Sequence, residues 1–171
     1  FEGMHDDGIN IHGMYSRVVA VEPDGTPLTC PGFVDWNTPG DTVAFYKQET
    51  GELLAERTIV TSERVDAKPY AEVAAKLGHS GPHFVYRTKI DNPPKLAVGD
   101  VMASYDYNCR GFVIRNNVFR NHRYRAILLR TAHGVVEDNL IEGVTNDAIV
   151  LAPDAWGEGT WCDDIQIRRN T

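Results

Sequence analysis

The sequence predicts an all-β protein: about three turns of a parallel β-helix, interrupted by an inserted small antiparallel β-barrel or sandwich. Three observations carry this. First, FEGMHDDGINI (1–11), FRNHRYRAILL (119–129) and IEGVTNDAIVL (141–151) superimpose without gaps, and the second and third copies are 22 residues apart. That period suits one turn of a stacked β-solenoid. Second, a shorter motif recurs in phase as Val113-Ile114-Arg115-Asn116-Asn117, Val135-Val136-Glu137-Asp138-Asn139 and Ile165-Gln166-Ile167-Arg168-Arg169-Asn170. Third, between His12 and Asn108 the repeat stops, and 96 residues beyond one period intervene.

The elements follow in order. Residues 1–13 end one turn. Ile9 and Ile11 share a parity with Ile127 and Leu129 and with Ile149 and Leu151, so these pairs stack inward. Asn10, Leu128 and Val150, then His12, Arg130 and Ala152, face outward. Residues 14–108 form the insert, with strands predicted at 17–22, 42–47, 53–61, 84–90 and 100–105. Pro23-Asp24-Gly25, Glu49-Thr50-Gly51 and Asp91-Asn92-Pro93-Pro94 mark turns, and 69–77 is the one helical stretch, stopped by Gly78. Five or six short antiparallel strands suit a small barrel. Residues 109–171 return to the solenoid, where β-branched and aromatic runs suit a parallel sheet covered on one side. Asn117, Asn139 and Asn170 form a further stack. Asparagine tolerates the left-handed backbone region and can bond its own turn, so these three are read as structural.

The sequence opens inside one copy and stops inside another, which makes it read as a piece of a longer protein. A stack of under about three turns is expected to be marginal by itself. The formal charge is −7, from 17 Lys+Arg and 24 Asp+Glu. With no basic cluster outside 120–130, the balance argues against nucleic acid as the partner. No apolar run approaches the roughly 18 residues of a membrane span. The three cysteines make no disulfide framework. Cys109 and Cys162 occupy equivalent repeat positions about 10 Å apart, too far for a bond.

The densest polar group closes the first copy: His5, Asp6, Asp7, Asn10 and His12. Asp7, Arg125 and Asp147 fall at one repeat position and should form a vertical ladder of alternating charge. Either Arg125 neutralises its neighbours, or the carboxylates do proton transfer on a sugar, since glycoside hydrolysis uses two carboxyl groups. On a regular strand Asp6 and Asp7 would point to opposite faces, but Gly8 could let the backbone turn and present both. His5, Asp6, Asp7 and His12 also mix hard and soft ligand types without a metal-site spacing, so no metal is assigned. At 152–162 the repeat is stretched by nine residues. Asp154, Trp156, Glu158 and Trp161 lie there, and aromatic rings with carboxylates suit sugar binding.

These residues together resemble a known family. The run F-x-x-x-x-D-D-G-I-N-I-H-G-x-Y-x-x-V, a barrel-like insert, then V-I-R-N-N-x-F, A-I-L-L-R-T, V-V-E-D-N and W-x-E-G is similar to glycoside hydrolase family 110. The resemblance spans 1–171, loosely in the insert, and Asp-Asp-Gly-x-Asn-x-His-Gly is its most specific part. It implies a right-handed parallel β-helix with inserted barrels and an inverting exo-α-galactosidase acting on terminal α-1,3-linked galactose, without cofactor. It places catalytic aspartates at Asp6 and Asp7, puts Trp156-Gly157-Glu158-Gly159 near the sugar, and implies a further acidic residue upstream of Phe1. Asn10, His12, Arg130, Asp154, Trp156 and Glu158 are the expected substrate contacts. The partner is then a terminal galactoside glycan, and analogy places the protein in secretion, the periplasm or the cell surface. Two other classes stay open: a β-helical polysaccharide lyase, and a non-catalytic glycan-binding or structural β-helix.

Overall fold

A computed structural model describes residues 1–31, 37–78, 84–153 and 158–171. In chain order the strands begin with β1 (Ile9–His12), followed by β2 (Tyr15–Val21), β3 (Pro27–Pro31), β4 (Thr42–Tyr46) and β5 (Leu53–Val65). A 3-10 turn (Lys68–Tyr70) leads into α1 (Ala71–Lys76), then β6 (Val85–Ile90) and β7 (Val101–Ser104). The last part holds β8 (Val113–Arg115), β9 (Val118–Arg120), β10 (Ile127–Arg130), β11 (Gly134–Glu137), β12 (Leu140–Glu142), β13 (Ile149–Leu151) and β14 (Ile165–Arg168). The chain forms two compact units. One holds Phe1–Gly13 and the described residues from Cys109 onward except Glu158; the other holds Met14–Asn108 with Glu158.

The first unit is built of parallel sheets, ordered β1-β10-β13, β14-β11-β8 and β12-β9. Register follows the sequence repeat. Ile9 pairs with Ile127 and Ile127 with Ile149, while Ile11 pairs with Leu129 and Leu129 with Leu151. Val136 lies between Ile114 and Ile167, and Phe119 beside Ile141. The Phe1 ring stacks on Phe119 at 5.0 Å between centroids. Ile127, Leu129, Phe119, Ile114 and Val136 form one buried core, with Ile9, Ile11 and Ile149 packed against it. Burial of such side chains contributes about 1.5–3 kcal/mol each. Leu128, expected to face outward, lies outside that core cluster but is only 1% exposed. The outward ladder is therefore not uniformly solvated.

The bends repeat as faithfully as the strands. Gly3, Asn121 and Gly143 have φ of 66°, 55° and 69°. Gly111, His133 and Asp164 have 78°, 57° and 47°, and Asn116, Asp138 and Arg169 have 56°, 54° and 53°. Each trio stands at one repeat position, so the left-handed conformation is imposed by the path of the chain and not by residue type. This corrects one expectation: the stacked asparagines are not the left-handed residues, which sit one position earlier. The asparagines instead tie successive turns. Asn139 Oδ1 accepts from Asn117 N–H and Nδ2–H, both at 3.0 Å. Its Nδ2 donates to Asn170 Oδ1 at 2.9 Å and to the Ile114 and Glu137 carbonyls at 3.0 Å. Asn170 repeats the pattern by accepting from Asn139 N–H at 3.1 Å.

The second unit contains a closed six-stranded antiparallel barrel, in the order β2-β3-β6-β5-β4-β7. Val43, Phe45, Ile59, Ile90 and Met102 pack as one cluster. Val19, Leu28, Cys30 and Val85 form another with Ala74 of α1. Strand β3 was missed in the sequence because its prolines at 27 and 31 read as breakers. Both lie at its ends, and all five of its residues are buried. β5 runs on to Val65, beyond the expected 61, because β6 pairs with it as far as Val65–Val85. The expected helix 69–77 is shorter, a 3-10 turn followed by six α-helical residues. All three cysteines are free. Among the described residues no helix is long and apolar enough to cross a membrane.

Candidate active site

The polar cluster sits where the chain turns into β1. Gly8 N–H donates to the Arg125 carbonyl at 3.1 Å and Ile9 N–H to the Ala126 carbonyl at 2.9 Å, so the corner is fixed on the turn beside it. Asp6 is exposed, and its Oδ1 accepts the Asp7 N–H at 2.9 Å. Asn146 does the same for Asp147 at 2.8 Å, so the turn geometry needs only a short side chain with a carbonyl-type oxygen.

Asp7 is different: its side chain is 9% exposed. Arg125 Nε–H donates to Oδ1 at 2.7 Å and Nη2–H to Oδ2 at 3.3 Å, a two-point clamp. The guanidinium also lies over the Tyr124 ring, 4.2 Å from its centroid. The expected ladder is thus lopsided. Arg125 engages Asp7, whereas Asp147 is exposed and makes no ion pair among the described residues. Such a shielded pair fixes geometry more than it adds stability, since removing one partner strands the other charge.

Gly8 has a different reason for being glycine from the one expected. Its φ is not positive, so no unusual turn is made. An added Cβ would lie 2.6 Å from His122 Cε1, 2.8 Å from the Ala126 carbonyl oxygen and 3.0 Å from Phe119 Cδ1. His122 itself was missed. The signal was present, because the same repeat position holds apolar Met4 and Val144 in the other two copies.

On β1, Asn10 is exposed beside Leu128, and His12 pairs with Arg130. His12 Nδ1 lies 2.9 Å from the Gly13 carbonyl oxygen. The Arg130 carbonyl accepts the Thr160 N–H at 3.1 Å. Gly159, at φ 76°, crosses so close to Arg130 that a Cβ there would lie 2.2 Å from Arg130 Cβ. The structure therefore brings His12 and Arg130 side by side in β1 and β10, with Asn10 two residues before His12. Glu158 pairs with Met14 in the other unit. Asp154 and Trp156 lie outside the described residues. Among the described residues no group of three His, Cys, Asp or Glu side chains could hold a metal ion.

No protein-family model matches the chain. Curated proteins do. The chain is 32% identical over 179 residues to "Alpha-1,3-galactosidase B" of Bacteroides fragilis (strain YCH46), covering 99% of this chain and 29% of that protein. This chain is similar in sequence to proteins named alpha-1,3-galactosidase. It is 33% identical over 181 residues to another protein of that name, from Akkermansia muciniphila, covering 100% of the chain and 21% of the relative. "Alpha-1,3-galactosidase A" of Streptomyces avermitilis is 32% identical over 188 residues, covering 100% of the chain and 28% of that protein. The chain thus spans less than a third of the length of these galactosidases, and the similarity runs through both of its units.

Proposed function

We propose that this chain forms part of an inverting exo-α-galactosidase that hydrolyses terminal α-1,3-linked galactose, with Asp6 and Asp7 supplying reacting carboxyl groups. The observation that carries the reading is the similarity, along nearly all of this chain and under a third of theirs, to proteins named alpha-1,3-galactosidase. The local geometry supports it. Inversion needs one carboxyl group to protonate the leaving oxygen and another to activate water on the opposite face of the sugar. Asp7, clamped by Arg125, is held in one orientation, while Asp6 remains open to solvent. A held carboxylate suits the water-activating role and an open one suits contact with the departing glycan. Asn10, His12 and Arg130 supply hydrogen-bonding groups for hydroxyls, and the family resemblance adds Asp154, Trp156 and Glu158 as expected sugar contacts. The substrate is a glycan, and the reading places the protein where glycans are met: secreted, periplasmic or at the cell surface.

The same reading takes the parallel sheets as a right-handed parallel β-helix. In-register stacking of the three sheets and the repeated left-handed corners support it. Crossovers between parallel strands of one sheet are right-handed in about 98% of cases.

Asp6→Asn and Asp7→Asn in the natural full-length protein test the assignment. Asp6→Asn keeps the oxygen that accepts the Asp7 N–H, as Asn146 does, so its fold should persist. Each variant is expected to lose at least about 100-fold in galactose release. Wild-type rates in both would remove Asp6 and Asp7 from the chemistry.

A further inference from the structure

His122 is fully buried, and neither ring nitrogen has a hydrogen-bond partner among the described residues. Burying a polar ring without partners is unfavourable. Packing alone would favour an apolar residue, and the equivalent Val144 packs against the same core. The imidazole does occupy a defined place. It meets Phe119 edge-on, with centroids 5.9 Å apart and planes at 67°. Its Cε1 fills the space a side chain at position 8 would need, 2.6 Å from the ideal Cβ.

Gly8 directly follows Asp7, and both residues hold Arg125: Gly8 by its N–H to the backbone carbonyl, Asp7 by its carboxylate to the guanidinium. We propose that His122 is a positioning residue, the wedge that sets the height of Gly8 and so aims the Asp7 carboxylate; its catalytic consequence rests on the reading of Asp6 and Asp7 as reacting groups. Shape does the work here. A five-membered ring reaches the Gly8 backbone, while a shorter side chain leaves a void into which the corner sinks. Displacement of a reacting group by about 1 Å can cost about 100-fold in rate.

The test uses the natural full-length protein with His122→Val, the residue of the third copy, and His122→Phe, a ring without nitrogens. Three quantities are read: kcat and KM on a terminal α-1,3-galactoside, the Arg125 Nε–H resonance in NMR spectra, and the thermal midpoint. His122→Val is expected to lower kcat by about 10- to 100-fold with KM within about twofold, and to shift the Arg125 resonance. His122→Phe should recover most of both. A His122→Val protein with wild-type kcat and an unmoved resonance overturns the proposal. If His122→Val does not fold, His122→Phe decides: a wild-type resonance supports the wedge, and a lost one overturns it. If the wild type releases no galactose, the catalytic reading fails alone. The Arg125 resonance in His122→Val then still decides, a shift supporting the wedge and no change overturning it.

Discussion

A methyl group at position 8 would meet three neighbours at once, and one of them, the Ala126 carbonyl oxygen at 2.8 Å, is backbone that cannot rotate away. Gly8→Ala is therefore expected to destabilise by about 1–3 kcal/mol, read as a lower urea midpoint with unchanged slope. An unchanged midpoint would show that the corner yields. The glycine was visible in the sequence and its cause was not. Gly8 and His122 come from different copies separated by the whole barrel, and only register brings them together. The odd histidine in an apolar position was the legible part of that pair. The clamp on Asp7 was half legible: the repeat placed Arg125 beside both aspartates, but spacing could not say that it would engage one and leave Asp147 in solvent. The thiols offer a second check at this scale. Burial pushes the Cys30 thiol up to about 11, while Cys109 is exposed. At pH 8 the native protein should be alkylated at Cys109 and spared at Cys30, since thiolate is the reactive form. Equal labelling before unfolding would contradict the buried position of β3.

Among the elements, the asparagine ladder binds one turn to the next. Asn139→Ala removes donors from the Ile114 and Glu137 carbonyls and an acceptor from Asn117. The expected loss is about 1–3 kcal/mol for buried groups left unpaired, measurable by denaturant unfolding. The ladder was legible because an asparagine closes the same short motif in all three copies; the left-handed neighbours were not, because Asn116, Asp138 and Arg169 share no chemistry. Beside the ladder, Arg168 holds Glu137 below the ordinary carboxylate range, and Arg169 does the same for Asp138, each by side-chain hydrogen bonds. A depressed folded-state value means that this network stabilises above the ordinary carboxylate range, about pH 4, and loses its effect as pH falls through the folded values. The melting difference between wild type and Arg169→Ala should therefore be present at pH 6 and close toward pH 3. A difference that persists in acid would assign Arg169 a packing role instead.

At the scale of the molecule, register was written in the sequence twice, by the repeat and by its interruption. The barrel was largely legible: the expected strands at 17–22, 42–47, 53–61, 84–90 and 100–105 correspond to five of its six, while the proline-flanked and wholly buried β3 was not foreseen. What the sequence could least supply was the chemistry of the face formed by Asn10, His12 and Arg130, because function there depends on groups converging from separate segments. The proposed activity is hydrolysis of a terminal α-1,3-galactoside with inversion. The direct measurement is a proton NMR time course of the natural full-length protein acting on such a galactoside, with the anomeric signals followed from the first minutes. Inversion predicts that β-galactose appears first and mutarotates afterwards. First appearance of α-galactose, or no galactose from a folded enzyme, would contradict it.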